Sequence, residues 1–145
     1  MIQEIFKILE LREVKERKKS LLREEARLSV PLLTDTSLIP AIFEWFSEIH
    51  PSCYKPERRS SAASRQHFIF IILILYAPNA LAGENLPAGI RNILASVLGF
   101  KSPTGVSNLY ANAMFLYSQY KDYQETIDYL CTEIINRLKA KELIK

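Results

Sequence analysis

Apolar residues recur at three- and four-residue spacing along most of this chain, which is typical of helices with one buried face. Residues 37–49 carry a broad apolar stripe, and Pro40 is placed for a first helical turn. Comparable stripes predict helices over 88–98, 103–120 and 122–144. The chain shows no set of strands that could pair with one another, so the pattern predicts an all-α fold.

One stretch, "FIFIILILY" from Phe68 to Tyr76, is apolar on every side. Its nine residues are too few to cross a bilayer, which takes roughly 20 in a helix. Its internal position excludes a secretory signal, although a basic residue precedes it and "ALAG" follows it. Periodicity leaves a buried strand or a buried helix open. A lone strand could not satisfy its backbone, so we predict a central helix over 64–77, ended by Pro78.

The N-terminal segment, residues 2–28, has no Gly or Pro and fourteen charged residues of both signs. It predicts a charged helical arm over residues 1–30. A narrow seam combines apolar residues at seven-residue spacing with charged residues between them: Val14, Leu21 and Leu28 with Lys18 and Glu25. Two alternatives stay open, a solvated helix lying on its own domain and a self-association arm that forms a homodimer.

Length and composition indicate one domain with an appendage. With 145 residues, of which 48% are apolar, the chain can bury a sizeable core. We predict a compact bundle of about five helices in residues 36–142, packed around the central helix. No membrane association is expected.

Charge and cysteine content add two further expectations. The net charge of +3 permits a nucleic-acid partner, and residues 51–67 alone carry +3. Cys53 and Cys131 lie far apart in different settings, so they predict neither a disulfide framework nor a metal motif. A reducing cytoplasm fits this cysteine usage best.

Residues 51–63 change to Ser, Pro, Arg and Lys, which predicts an exposed basic loop containing Arg58 and Arg59. His50 and His67 flank this loop without ligand spacing, so we interpret them as ordinary surface or packed histidines. The chain contains no phosphate loop, dinucleotide fingerprint, zinc spacing or nucleophile signature. We therefore predict a protein that is not an enzyme, with no metal, no cofactor and no catalytic residue.

The most specific pattern is "ILASVLGFKSPTGVSNLY", residues 93–110. Gly99 suits a helix C-terminus because glycine adopts positive φ, and Ser102 followed by Pro103 predicts the start of the next helix. With Ala95 small and Val106 facing inward, residues 88–120 resemble the helix-turn-helix of DNA-binding proteins, of the small phage or mobile-element regulator type. The turn is one residue longer than usual in that family.

The resemblance implies a double-stranded DNA partner, with the helix 103–120 entering the major groove. It implies a transcriptional regulator or accessory factor. Side chains that could reach bases or phosphates form the predicted DNA-binding set: Arg91, Lys101, Ser102, Thr104, Ser107, Asn108 and Asn112, with Arg58 and Arg59 from the basic loop.

The alternative function is a non-enzymatic protein–protein interaction or assembly module, for example a phage structural component. In that case the N-terminal helix makes the contacts and residues 88–120 are a packing αα-hairpin. The predicted recognition helix favours this alternative in one respect, since it has no Arg or Lys before Lys121. Phosphate contacts from a monomer would then be few.

Overall fold

The computed structural model describes residues 2–50 and 62–144, and these residues form helices and no strand. The prediction of an all-α protein is confirmed. A short 3₁₀ helix, Thr36–Leu38, precedes α2, and the α-helices in chain order are α1 (Gln3–Leu28), α2 (Ile39–Ile49), α3 (Ala62–Tyr76), α4 (Pro78–Leu81), α5 (Ala88–Leu98), α6 (Thr104–Tyr110), α7 (Ala113–Gln119) and α8 (Lys121–Ala140).

The chain divides into two compact units, residues 1–30 and residues 31–145. The first unit is essentially α1, a 26-residue helix in which no residue is buried. Its charged side chains explain this exposure, because burying them would require a partner for each. No helix in the described ranges is long and apolar enough to cross a bilayer.

The core of the second unit is built on α3, where nine of fifteen residues are buried. Phe68, Ile71 and Ile72 are fully enclosed. α3 packs against α2, α4, α6 and α8, whereas α5 packs mainly on α2 and α6. Because other helices surround α3, it needs no polar face beyond its first turns.

The first residues of the second unit are held by contacts with α3. The Leu33 backbone N–H donates to the Leu75 carbonyl (3.0 Å), and the Tyr76 hydroxyl donates to the Asp35 carbonyl (2.7 Å). Burial, followed by the nearby Asp35 carboxylate, raises the pKa of Tyr76 to about 12. The chain is therefore attached to the core of the second unit from Leu33 onward.

The only tryptophan, Trp45, lies on α2 and is partly buried against the core. The Lys141 ammonium, just beyond α8, lies 5.8 Å from the centroid of its ring. On the same helix, Glu48 accepts a 2.7 Å hydrogen bond from Arg137 of α8. The C-terminal end of α8 is thereby tied to α2.

The prediction of about five helices in residues 36–142 is too low, because the described part of this range contains seven α-helices. Pro78 ends α3 as predicted, yet it also begins the four-residue helix α4. Proline is favoured in a first helical turn because its missing N–H needs no partner there. The other additional helix, α7, results from a break in the predicted helix 103–120, which is described below.

Candidate nucleic-acid interface

The first helix of the candidate interface, α5, ends in a well-defined turn. Gly99 has φ +77°, the left-handed conformation that favours glycine. The Gly99 N–H donates to the Ser96 carbonyl (3.3 Å) and the Phe100 N–H to the Ala95 carbonyl (2.8 Å). This pair of bonds is a Schellman motif, which satisfies carbonyls that a helix end leaves without partners.

The second helix, α6, begins at Thr104, one residue later than the Ser-Pro pattern predicts, and Pro103 is its N-cap residue. The Ser102 hydroxyl oxygen accepts a 3.3 Å hydrogen bond from the Thr104 N–H. Pro103 already has helical dihedrals, φ −62° and ψ −17°. The turn between the two helices therefore spans Gly99 to Pro103, and Ser102 caps its far end.

A contact absent from the sequence pattern holds this turn in place. The Phe100 ring lies directly on the backbone of Gly105, where an added Cβ would come 2.7 Å from Cδ1 of the ring. The Arg65 guanidinium of α3 lies over the same ring, with its carbon 4.8 Å from the ring centroid. A cation over an aromatic face is attracted by the ring quadrupole. Phe100 thus connects the turn, α6 and α3.

A Gly105→Ala substitution is expected to lower the free energy of unfolding by about 1–2 kcal/mol, because the new methyl group must displace the Phe100 ring. Differential scanning calorimetry measures this loss as a lower midpoint of the unfolding transition. The matched control is Gly89→Ala on α5, where an added Cβ meets nothing within 4 Å. Its stability should be unchanged or slightly higher, since alanine is the better helix former. Equal stabilities for the two variants would contradict the close packing of Phe100 on Gly105.

The exposed side of α6 holds the residues proposed to read DNA. Thr104 and Asn108 are four residues apart, so they share one face, and both are exposed. Val106 points the other way and is fully buried. Lys101 and Ser102 are exposed in the preceding turn. The structure brings these four polar residues together at the start of α6.

The other residues of the predicted DNA-binding set are less accessible to DNA or lie outside the described residues. Ser107 is half-buried and lines a cavity of about 270 Å³ together with Glu84 and Asn85. Arg91, on α5, is also half-buried, and its Nε has no hydrogen-bond partner within the described residues. Arg58 and Arg59 lie outside the described residues.

The predicted continuous helix 103–120 is wrong, because the chain breaks between α6 and α7. Asn112 has φ −102° and ψ 3°, a turn conformation that asparagine tolerates well. After the break Ala113 is fully buried, and the Tyr117 ring stacks on Phe70 of α3 at 5.7 Å. The change of direction lets α7 pack on the core. Asn112 consequently lies beyond α6 and does not continue its polar face.

This part of the chain carries few charged side chains, and all of them are basic. Residues 85–121 contain no Asp or Glu, and their only charged side chains are Arg91, Lys101 and Lys121. Lys121 lies 3.9 Å from the Glu125 carboxylate, an exposed pair of small energetic weight. Lys101 is therefore the charge best placed for a phosphate beside the start of α6.

A pair of histidines, with His50 buried and His67 partly buried, is the second feature that the sequence pattern does not reveal. His50 Nε2 and His67 Nδ1 are 2.9 Å apart, a hydrogen bond in which the tautomers decide the donor. Burial lowers the pKa of His50, and burial together with the charge of His50 lowers the pKa of His67 to about 4. Seventeen residues separate the two, and no spacing rule relates them. Within the described ranges no group of three or more metal-ligating side chains occurs.

Comparison of the chain with protein-family models, curated proteins and solved structures gives no match.

Proposed function

We propose that this protein binds double-stranded DNA through α5, the following turn and the first two turns of α6. One observation carries the proposal. The exposed face formed by Lys101, Ser102, Thr104 and Asn108 lies opposite the buried Val106, within residues 85–121 that contain no acidic side chain. The four side chains of this face carry no carboxylate and do not repel phosphate, whereas Glu84 lines the cavity beside Ser107.

The side chains have chemistry suited to separate parts of the duplex. An asparagine amide can donate and accept at once, which matches the paired acceptor and donor on adenine in the major groove. We assign this role to Asn108. We assign to Thr104 a contact to the duplex through its shorter side chain. Lys101 meets phosphate. The protein would act as a transcriptional regulator or accessory factor in the cytoplasm.

The geometry limits what α6 can read. Its seven residues extend about 10 Å, roughly two turns. Helix-turn-helix proteins present the N-terminal residues of their recognition helix to the bases, so two turns are sufficient for readout. Because Asn112 lies past the break, we exclude it from the proposed base contacts.

The proposal is tested by fluorescence-anisotropy titration of mixed-sequence duplex DNA at about 50 and 200 mM salt, a range over which phosphate contacts change affinity steeply. Lys101→Ala should weaken binding and lower the slope of log K against log salt by about 1. Asn108→Ala should weaken binding on a specific site and leave that slope unchanged.

Matched controls lie on the exposed side of α8, where Lys139→Ala and Asn136→Ala make the same chemical changes away from α6. Both controls should bind as the unmodified protein does. No binding at low salt, or equal effects at the α6 and α8 positions, would refute the proposal.

A second candidate function is an assembly module that binds its partner through α1. The exposed apolar side chains of α1, among them Phe6, Leu21 and Leu22, favour it. In that case deletion of residues 1–28 abolishes the partner interaction, whereas Asn108→Ala has no effect on it.

A further inference from the structure

α1 carries many large apolar side chains that are exposed. Nine of its large apolar side chains are between 42% and 64% exposed, from Ile5 at the low end to Leu21 and Leu28 at the high end. Helices gain most of their stability in proteins by packing one face against another element. Apolar side chains left exposed in this number are typical of a surface that binds a partner.

A single stripe along α1 alternates steps of three and four residues, the spacing of a coiled-coil seam. It runs through Leu11, Val14, Lys18, Leu21, Glu25 and Leu28. Apolar residues occupy both ends and two inner positions, and one base and one acid occupy the rest. Ile5, Phe6 and Leu9 lie on the opposite side of the helix and take no part in this stripe.

The two charges in the stripe determine which partner fits. In a parallel pair of α1 helices, identical positions face each other, so Lys18 would oppose another Lys18 and Glu25 another Glu25. Facing like charges destabilise such a seam. A parallel arrangement is therefore disfavoured by residues at the middle of the contact.

An antiparallel pair removes this conflict. With the dyad between residues 19 and 20, Leu11 packs against Leu28 of the partner subunit. Lys18 packs against the partner's Leu21, and Val14 packs against the partner's Glu25. Adjacent layers are about 5 Å apart, so the Lys18 ammonium can reach the carboxylate of the partner's Glu25. Each Lys18 thus lies near Glu25 of the partner subunit, and the dimer contains two such ion pairs.

We infer that α1 pairs antiparallel with α1 of a second copy of this chain, along the seam from Leu11 to Leu28. The contact is isologous, as closed two-fold dimers require. A dimer would also carry two α5–α6 units and so double the phosphate contacts on DNA. That last consequence alone rests on the proposed function.

Sedimentation velocity of the full-length protein across a dilution series tests the pairing. We expect a species of twice the 16.7 kDa chain mass. Lys18→Glu should raise the dimer dissociation constant about tenfold or more, because it places two carboxylates together. Lys18→Glu combined with Glu25→Lys should restore dimerisation. The control Lys19→Glu makes the same charge change on the exposed surface beside the seam and should have little effect.

Orientation is tested by disulfide formation in chains carrying Cys53→Ser and Cys131→Ser. An equimolar mixture of Leu11→Cys and Leu28→Cys chains should give the mixed disulfide dimer. Neither variant should crosslink alone. Circular dichroism checks that each variant remains folded.

A chain that stays monomeric at every concentration overturns the inference. Crosslinking of each variant with itself, or failure of the charge exchange to restore the dimer, also overturns it. DNA titrations on the same samples separate the two proposals. A monomer that binds DNA refutes only the α1 pairing, whereas a dimer without DNA affinity refutes only the DNA-binding role.

Discussion

An Ile72→Asp variant should not fold. Ile72 is fully buried within α3, and its neighbours Ile71 and Leu73 are also completely enclosed. The substitution removes a large apolar side chain and places a carboxylate where no water reaches it. Each effect costs several kcal/mol, and their sum is comparable to the about 5–15 kcal/mol by which domains are stable.

Far-UV circular dichroism and calorimetry check this result, and we expect loss of the cooperative unfolding transition. The matched control is Ile8→Asp, the same chemical change at a position of α1 that is 57% exposed. That variant should retain the transition of the unmodified protein. A cooperative transition in Ile72→Asp at the normal temperature would show that α3 is peripheral.

The histidine pair should make stability depend on pH in a defined window. The folded-state pKa of His67 is about 4, and the pKa of His50 is also lowered, compared with about 6.5 in an unfolded chain. The unfolded state therefore binds protons that the folded state rejects. The stabilising contribution is complete above pH 6.5 and is lost as pH falls toward 4.

The expected loss from His67 is about 3 kcal/mol between pH 6.5 and 4. Urea unfolding at a series of pH values measures it, and NMR titration of the imidazole protons gives the two pKa values directly. In a His67→Gln variant the same pH interval should produce a much smaller change. A pH-independent unfolding free energy over this interval would contradict the buried neutral pair.

Sequence could predict the elements whose signals are local. The apolar run of α3 and its end at Pro78 were correct within two residues, predicted as 64–77 and found as Ala62–Tyr76. Gly99 was placed correctly, and the start of α6 was correct within one residue, because turn and cap chemistry depends on one or two adjacent residues. The exposed polar face of α6 followed from the spacing that also buries Val106.

Features that depend on distant contacts could not be predicted. The break at Asn112 is flanked by alanines, which are strong helix formers, and only the packing of Ala113 and Tyr117 on the core explains it. The stacking of Arg65 over Phe100 joins residues 35 positions apart. The sequence therefore predicted which polar residues lie at the start of α6. It did not predict the break after α6 or the contact that holds the turn.

Trp45 makes the two units of the chain optically distinguishable. Indole emission arises from this residue alone, on α2, whereas backbone ellipticity sums the contributions of α1 and of the second unit. If α1 melts separately, for instance when dilution dissociates a dimer, the ellipticity curve shifts while the emission curve does not. Non-coincident curves would violate the two-state assumption. Stabilities of substitutions in residues 31–145 are therefore better obtained from emission than from ellipticity.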